Sequence, residues 1–370
     1  MSTKKLQSFI DIITGFLGKS SSTTFSLPII DLGVYLNDKD SELAINECRK
    51  TADALSKYGA LLVKDPRAKE DNNSEFLDLL EDYYAQPFEI KLKDARPELE
   101  YQVGVTPELK EEPKCKSDIN CHKMIEKMPK KSRPSIPKGP DPKWRFFWNI
   151  GEFPEKTEFP QLNAEYAVVV PEAFKDKWSR ILDQRGDQLY QAVIKVVEMA
   201  SVGFGMSANH LPDLTKKGPH LLSPTGSDLN KYGKLGTILA GFHYDLDFIT
   251  IHGKSRFPGL NIWSRDGSEK IEVHVPDGHF LVQAGKQFEW LTGGNVKAGY
   301  HDVVVSEATI KKNRPDRPLW RISSTLFLHI ASDNILKPIE PFFKPNSLYP
   351  PILTGNQVQY ELGLIELKTI

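Results

Sequence analysis

The chain has 370 residues, enough to bury a sizeable core as one large domain or as two. Its 48 Lys and Arg against 49 Asp and Glu leave a net charge of −1, so the overall balance gives no reason to expect nucleic acid or an anionic membrane surface as a partner. Three cysteines, Cys48, Cys115 and Cys121, supply no disulfide framework and fit a reducing, cytoplasmic compartment, and no apolar run approaches the roughly 20 residues of a membrane span.

In chain order, residues 1–24 carry Lys4 and Lys5 ahead of Phe9, Ile10, Ile12, Ile13, Phe16 and Leu17, followed by a Ser/Thr-rich piece. They read as a flexible or amphipathic leader, with a targeting segment as the alternative. Phe25 to Leu32 predicts a short strand. Ala44, Cys48, Ala52 and Leu55 recur at helical spacing before Gly59, a natural helix stop, and Ala60 to Val63 predicts the next strand. Asn73 to Tyr84 predicts a helix with Phe76, Leu77, Leu80 and Tyr83 or Tyr84 on one face.

From Lys110 to Asn149 the texture changes to Lys, Pro and Ser, with eleven Lys/Arg against five Asp/Glu. So long a stretch without periodicity inside a compact domain is a solvated loop or a functional one. Its end, Trp144-Arg145-Phe146-Phe147-Trp148, is too aromatic for a linker. The functional reading is a lid that lays those aromatics near the active site and meets an anionic substrate with its cations. Cys115, Cys121 and His122 match no usual zinc spacing and have no evident fourth ligand.

Pro171 to Met206 places Trp178, Ile181, Leu182, Leu189, Val193, Val196 and Ala200 on one stripe, a long amphipathic helix. Gly186 inside it costs about 1 kcal/mol relative to Ala and marks a place where it could break. Beyond Gly236 the chain alternates short strands with turns: Thr237 to His243, Phe248 to His252, Gly259 to Trp263, Ile271 to Val275, Phe280 to Ala284, Asp302 to Ser306 and Arg321 to Ile330. Regular short strands separated by Gly, Pro and Asp predict a sandwich or barrel.

The candidate chemistry lies in that region. His243 and Asp245 are two apart, so an extended strand would point both side chains the same way. His301 lies 56 residues beyond Asp245 and can reach them only through a folded sheet. Two histidines and a carboxylate with open positions form the facial set of non-heme Fe(II) oxygenases. Downstream come Ala284-Gly285-Lys286-Gln287-Phe288-Glu289-Trp290-Leu291-Thr292-Gly293-Gly294, Tyr300-His301-Asp302-Val303-Val304-Val305 and Arg321-Ile322-Ser323.

Taken in this order, these pieces resemble the isopenicillin N synthase-like branch of the 2-oxoglutarate and Fe(II)-dependent dioxygenases, over roughly residues 25 to 335. The resemblance implies a mainly β fold with flanking helices, a distorted double-stranded β-helix (jelly roll) with a helical N-terminal region. It divides the chain into 25–205, with the bracing helix and basic loop, a catalytic domain over 206–335, and an extension over 336–370. It implies His243, Asp245 and His301 as catalytic Fe(II) ligands, and 2-oxoglutarate as co-substrate with its far carboxylate on Arg321 and Ser323. A guanidinium fork and a hydroxyl are suited to that anion. The implied reaction is hydroxylation, desaturation or cyclisation of a small molecule by O2 in a monomeric enzyme.

Three departures stand out. Arg321 follows His301 at a longer spacing than usual, which makes Glu307 to Leu319 an inserted loop. The family's Asn-x-Tyr before the His-x-Asp strand is replaced by His220-Leu221-Leu222-Ser223-Pro224, and Lys286 stands where an acidic residue is usual. The other readings are an Fe(II) oxidase that does not use 2-oxoglutarate, as isopenicillin N synthase itself is, and a non-catalytic jelly-roll binding module, against which the intact His/Asp/His set argues.

Overall fold

The computed structural model describes residues 26–163, 168–312 and 317–365; the leader expected over 1–24 lies outside them. The strands of the two main sheets are β1 (Ile29–Asp31), β2 (Ala60–Lys64), β3 (Gly104–Thr106), β4 (Trp144–Ile150), β5 (His220–Leu222), β6 (Thr225–Asp228), β7 (Ile238–His243), β8 (Ile249–His252), β9 (Leu260–Trp263), β10 (Lys270–Glu272), β11 (His279–Ala284), β12 (His301–Val304), β13 (Trp320–Ile322) and β14 (Thr325–Leu328). One sheet runs β1-β2-β11-β8-β14-β5-β4-β6-β13 with β3 beside β4, and a second runs β10-β9-β12-β7. Leu281 and Ala60 of the first pack against Ile262 of the second and Val273 just beyond β10. The result is the double-stranded β-helix that the resemblance implied.

Helices cover the outside of the large sheet. Helix α1 (Glu42–Tyr58) starts where the Ser41 side chain accepts the Ala44 N–H and stops at Gly59, whose φ of +65° suits glycine. Helix α2 (Glu70–Tyr84) buries Phe76, Leu77, Leu80, Tyr83 and Tyr84. Short helix α3 (Ile119–Lys127) follows a tight turn at Lys114–Lys116. Helix α4 (Trp178–Gly203) runs unbroken through Gly186. The expected weak point has a packing reason: a Cβ on Gly186 would lie 2.1 Å from Ile150 Cδ1, so the missing side chain lets β4 rest on the helix. Helix α5 (Thr354–Leu364), with Val358 and Glu361 buried, closes one side of the barrel. No helix among the described residues is long and apolar enough to cross a membrane.

Several sequence expectations need correction. The run from Arg321 to Ile330 is two strands, because Ser323 N–H bonds to Thr225 O at 2.9 Å whereas Ser324 O accepts from Gly253 N at 2.7 Å. The chain thus changes partners there, from β6 to β8 and β5. Trp144 to Trp148 is an inner strand and not the end of a loop. Trp144, Phe146 and Trp148 enter the main hydrophobic core, and Trp148 Nε1 donates to Asp183 Oδ1 at 2.7 Å. The lid expectation therefore fails for three of the four aromatics; Phe147 alone among them lines the cavity.

Cys115 and Cys121 are joined as a disulfide, contrary to the reading of the cysteine count, since the turn into α3 brings their Cα atoms to 5.5 Å. His122 Nε2 is 2.8 Å from Cys115 O, away from any metal arrangement. In the expected loop after Glu307, residues Glu307–Lys311 form a short helix capped by Ser306 and Thr309.

Candidate active site

β7 and β12 are antiparallel neighbours in the small sheet, and their register sets His301 directly opposite His243. The two rings are 4.2 Å apart between centroids. β7 ends at His243, so Asp245 is not on the strand but in the turn after it. Its Oδ1 nevertheless lies 3.6 Å from His243 Nε2 and 3.7 Å from His301 Nε2. One donor atom from each residue falls within 4.8 Å of the others.

Each group is held by its neighbours. His243 Nδ1 lies 2.6 Å from Gly241 O and His301 Nδ1 3.3 Å from Gly299 O; a carbonyl only accepts, so the protons sit on Nδ1 and the Nε2 lone pairs point at the shared space. Burial and the facing His301 push His243 down to about 3, which keeps its ring neutral at pH 7. For Asp245, burial opposes ionisation, but His301, His243 and the Thr250 hydroxyl outweigh it and hold the carboxyl below its ordinary range. Thr250 Oγ1 donates to Asp245 Oδ2 at 2.6 Å. Burial and the adjacent Asp245 raise Asp247 well above the usual carboxylate range. Two imidazoles and one carboxylate, all buried or half-buried, are a donor set suited to a ferrous ion with open positions.

The three groups open onto a cavity of about 240 Å³ between the sheets. Arg321 and Ser323 line it too. Arg321 donates from Nε to Pro258 O at 3.0 Å and has no carboxylate within ion-pair distance among the described residues. Burial pushes its guanidinium down to about 10, so it remains a cation at pH 7. Ser323 Oγ accepts from Thr225 N at 2.8 Å and from Thr225 Oγ1 at 2.9 Å, which leaves its own proton free to donate. His252 and His329 share the cavity, each pushed by burial to about 4. Lys286 pairs with Glu289 at 2.9 Å, and Ser223, at the altered Asn-x-Tyr place, turns an unpartnered Oγ toward the interior.

Sequence reasoning missed four charged residues in the cavity wall: Glu111, Asp141, Lys143 and Arg145. The alternation of β4, with Arg145 and Phe147 on the face opposite Trp144 and Phe146, was the available signal.

Residues 222–330 match the model of the 2OG-Fe(II) oxygenase superfamily. A sequence comparison with curated proteins finds no relative. Among solved structures, a full-length Neurospora crassa protein in complex with alpha-KG is similar at a TM-score of 0.70 and 18% identity, over 92% of this chain and 98% of that one. JOX2 in complex with 2OG, Fe and JA is similar at 0.61 and 17% identity, over 92% and 85%. The rice dioxygenase for auxin oxidation is similar at 0.62 and 14% identity, over 91% and 95%. At these identities the likeness is one of fold. The family model matches the very segment that brings the two histidines and the aspartate together, so residues 222–330 are similar to the 2OG-Fe(II) oxygenase superfamily where the candidate metal site lies.

Proposed function

We propose that the chain is an Fe(II)- and 2-oxoglutarate-dependent oxygenase of a small molecule, with His243, Asp245 and His301 as metal ligands and with Arg321 and Ser323 holding the far carboxylate of the co-substrate. The observation that carries this is a buried His/Asp/His set and an unpaired buried arginine lining the same cavity. A ferrous ion bound there supplies activation of O2 coupled to decarboxylation of 2-oxoglutarate to succinate and CO2. The chain's part is to bind, orient and keep out water. Gly241 and Gly299 fix the imidazole tautomers, Thr250 orients Asp245, and Thr225 turns the Ser323 proton outward.

Similar structures bound to alpha-KG, or to 2OG with Fe and JA, support a small-molecule substrate. The reading includes a cytoplasmic monomer, to be checked by fractionation and light scattering. O2-dependent succinate release tests the whole: iron-loaded protein that consumes O2 with its substrate and releases no succinate would reject 2-oxoglutarate in favour of the oxidase reading. Ser223 in place of the expected tyrosine is what keeps that second reading in play.

A further inference from the structure

The strand that carries His243 is loosely determined by its own sheet at the point where that ring is held. β7 is the edge strand of the small sheet, with β12 as its one strand partner among the described residues. The register between them slips: His243 opposes His301 and Ala240 opposes Val303, so Gly241 and Phe242 both stand against Asp302. An irregularity of this kind disrupts the ladder locally, and an edge leaves backbone groups to find partners elsewhere. Gly241 also lacks the side chain that would narrow its choice of φ and ψ. Yet its carbonyl is the one that takes the proton of His243 Nδ1, at 2.6 Å.

What holds Gly241 arrives from a hundred residues upstream. Asp141 Oδ1 accepts the Gly241 N–H at 2.9 Å in a buried bond. Above the same residue, a Cβ on Gly241 would lie 2.7 Å from Pro113 Cβ and 2.8 Å from Pro137 Cγ, so two prolines close over the glycine. Asp141 is itself well anchored: its N–H donates to Glu111 O, and its carbonyl accepts from Leu109 N and Lys143 N, each at 2.9 Å. Its second oxygen, Oδ2, lies 2.7 Å from Lys143 Nζ. Charge balance alone does not account for the residue, because Glu111 Oε2, 3.1 Å from the same ammonium, is a second counter-ion for Lys143.

Resting on the oxygenase reading, we propose that Asp141 is a positioning residue for the metal ligand His243: it pins the N–H of Gly241, so that the carbonyl of the same residue holds the Nδ1 proton and Nε2 stays aimed at the metal position. Partners one step removed from a metal tune how well its histidine ligands are presented. Asp245 and His301 have supports of their own in Thr250 and Gly299, so the effect falls on one ligand of three and weakens metal binding without abolishing it.

The test is calorimetric titration of Mn(II) into the metal-free full chain, as wild type, Asp141→Ala, Asp141→Asn and His301→Ala. Asp141→Ala is expected to weaken binding about 10–100-fold, whereas Asp141→Asn, which keeps an acceptor oxygen for Gly241 and gives up the charge beside Lys143, should weaken it by no more than about threefold. Wild-type affinity in Asp141→Ala overturns the proposal, and so does Asp141→Asn as weak as Asp141→Ala, which would make the residue a counter-ion only. Hydrogen exchange in 15N-glycine-labelled, metal-free wild type decides the matter where a variant does not fold: the Gly241 amide is expected to exchange slowly, and rapid exchange would remove the bond on which the role depends. Wild type that binds no Mn(II), or His301→Ala that binds it equally well, rejects the metal site and this role with it. A weakened His301→Ala beside an unaffected Asp141→Ala rejects the role of Asp141 alone.

Discussion

Thr250 Oγ1 reaches Asp245 Oδ2 at 2.6 Å, while the other carboxylate oxygen, Oδ1, is the one nearest His243 and His301. The hydroxyl thus fixes which oxygen is offered to a metal. Thr250→Val keeps the shape and removes the donor, and losses of such supporting bonds typically weaken metal binding about 10–100-fold. Titration of Mn(II) into the metal-free variant checks this; an unchanged Kd would assign the orientation of Asp245 to its backbone alone.

Arg321→Ala should weaken 2-oxoglutarate binding by about 1.5–3 kcal/mol, the range for a hydrogen bond to a charged group. Arg321→Lys should recover only part of it, since an ammonium keeps the charge and loses the planar fork. Calorimetry on the anaerobic Mn(II) form would report both, and wild-type affinity in Arg321→Ala would remove the residue from the site.

Trp148 and Phe147 are neighbours with opposite fates: the first packs into the core, the second faces the cavity. Trp148→Ala should cost about 3–5 kcal/mol in urea unfolding and lower activity only as far as it lowers the folded fraction. Phe147→Ala should raise the KM for substrate and leave 2-oxoglutarate affinity intact. Equal effects of the two on KM would contradict this division.

His220 and His329 link acidity to stability. The His329 N–H donates to His220 Nδ1 at 3.1 Å, and burial pushes the two rings to about 3 and about 4, from an ordinary 6.5. The unfolded chain takes up these protons as pH falls through 6.5, whereas the folded chain does not until far lower. Their neutral forms thus cost nothing above about pH 6.5, and stability is lost as pH falls from there toward 4. At roughly 1.4 kcal/mol per pH unit, His329 alone accounts for on the order of 3 kcal/mol. Urea midpoints of metal-free protein at pH 7 and pH 5 should fall less for His329→Gln than for wild type; parallel declines would place the acid sensitivity elsewhere.

Helices α1, α2 and α4 were legible because residues such as Leu182, Leu189 and Val196 repeat at the period of a helix face. The metal-ligand candidates were legible because two histidines and an aspartate at that spacing have few other uses in a strand-rich region. β4 was not, since its aromatic core face resembles a sticky loop end until α4 is seen lying against it through Gly186. The change of partners at Ser323 and Ser324 depends on Thr225 and Gly253, far away in sequence. The grouping of Glu111, Asp141, Lys143 and Arg145 was hidden for a similar reason: a lysine in a lysine-rich stretch looks solvated, and only the arrival of Glu111 and Asp141 at Lys143 makes its near-burial tolerable.

The placement of Glu111, Asp141, Lys143 and Arg145 bears on how such a protein could change over generations. The proposed metal and co-substrate residues come from the stretch 243–323, and the charged wall from 111–145, so a lineage can exchange one wall for another while leaving the oxidising centre inherited intact. The separation has one seam. Asp141 holds the N–H of Gly241, and the carbonyl of that same glycine holds His243. Change along the wall is therefore cheap except at Asp141, where a substitution would be felt at His243.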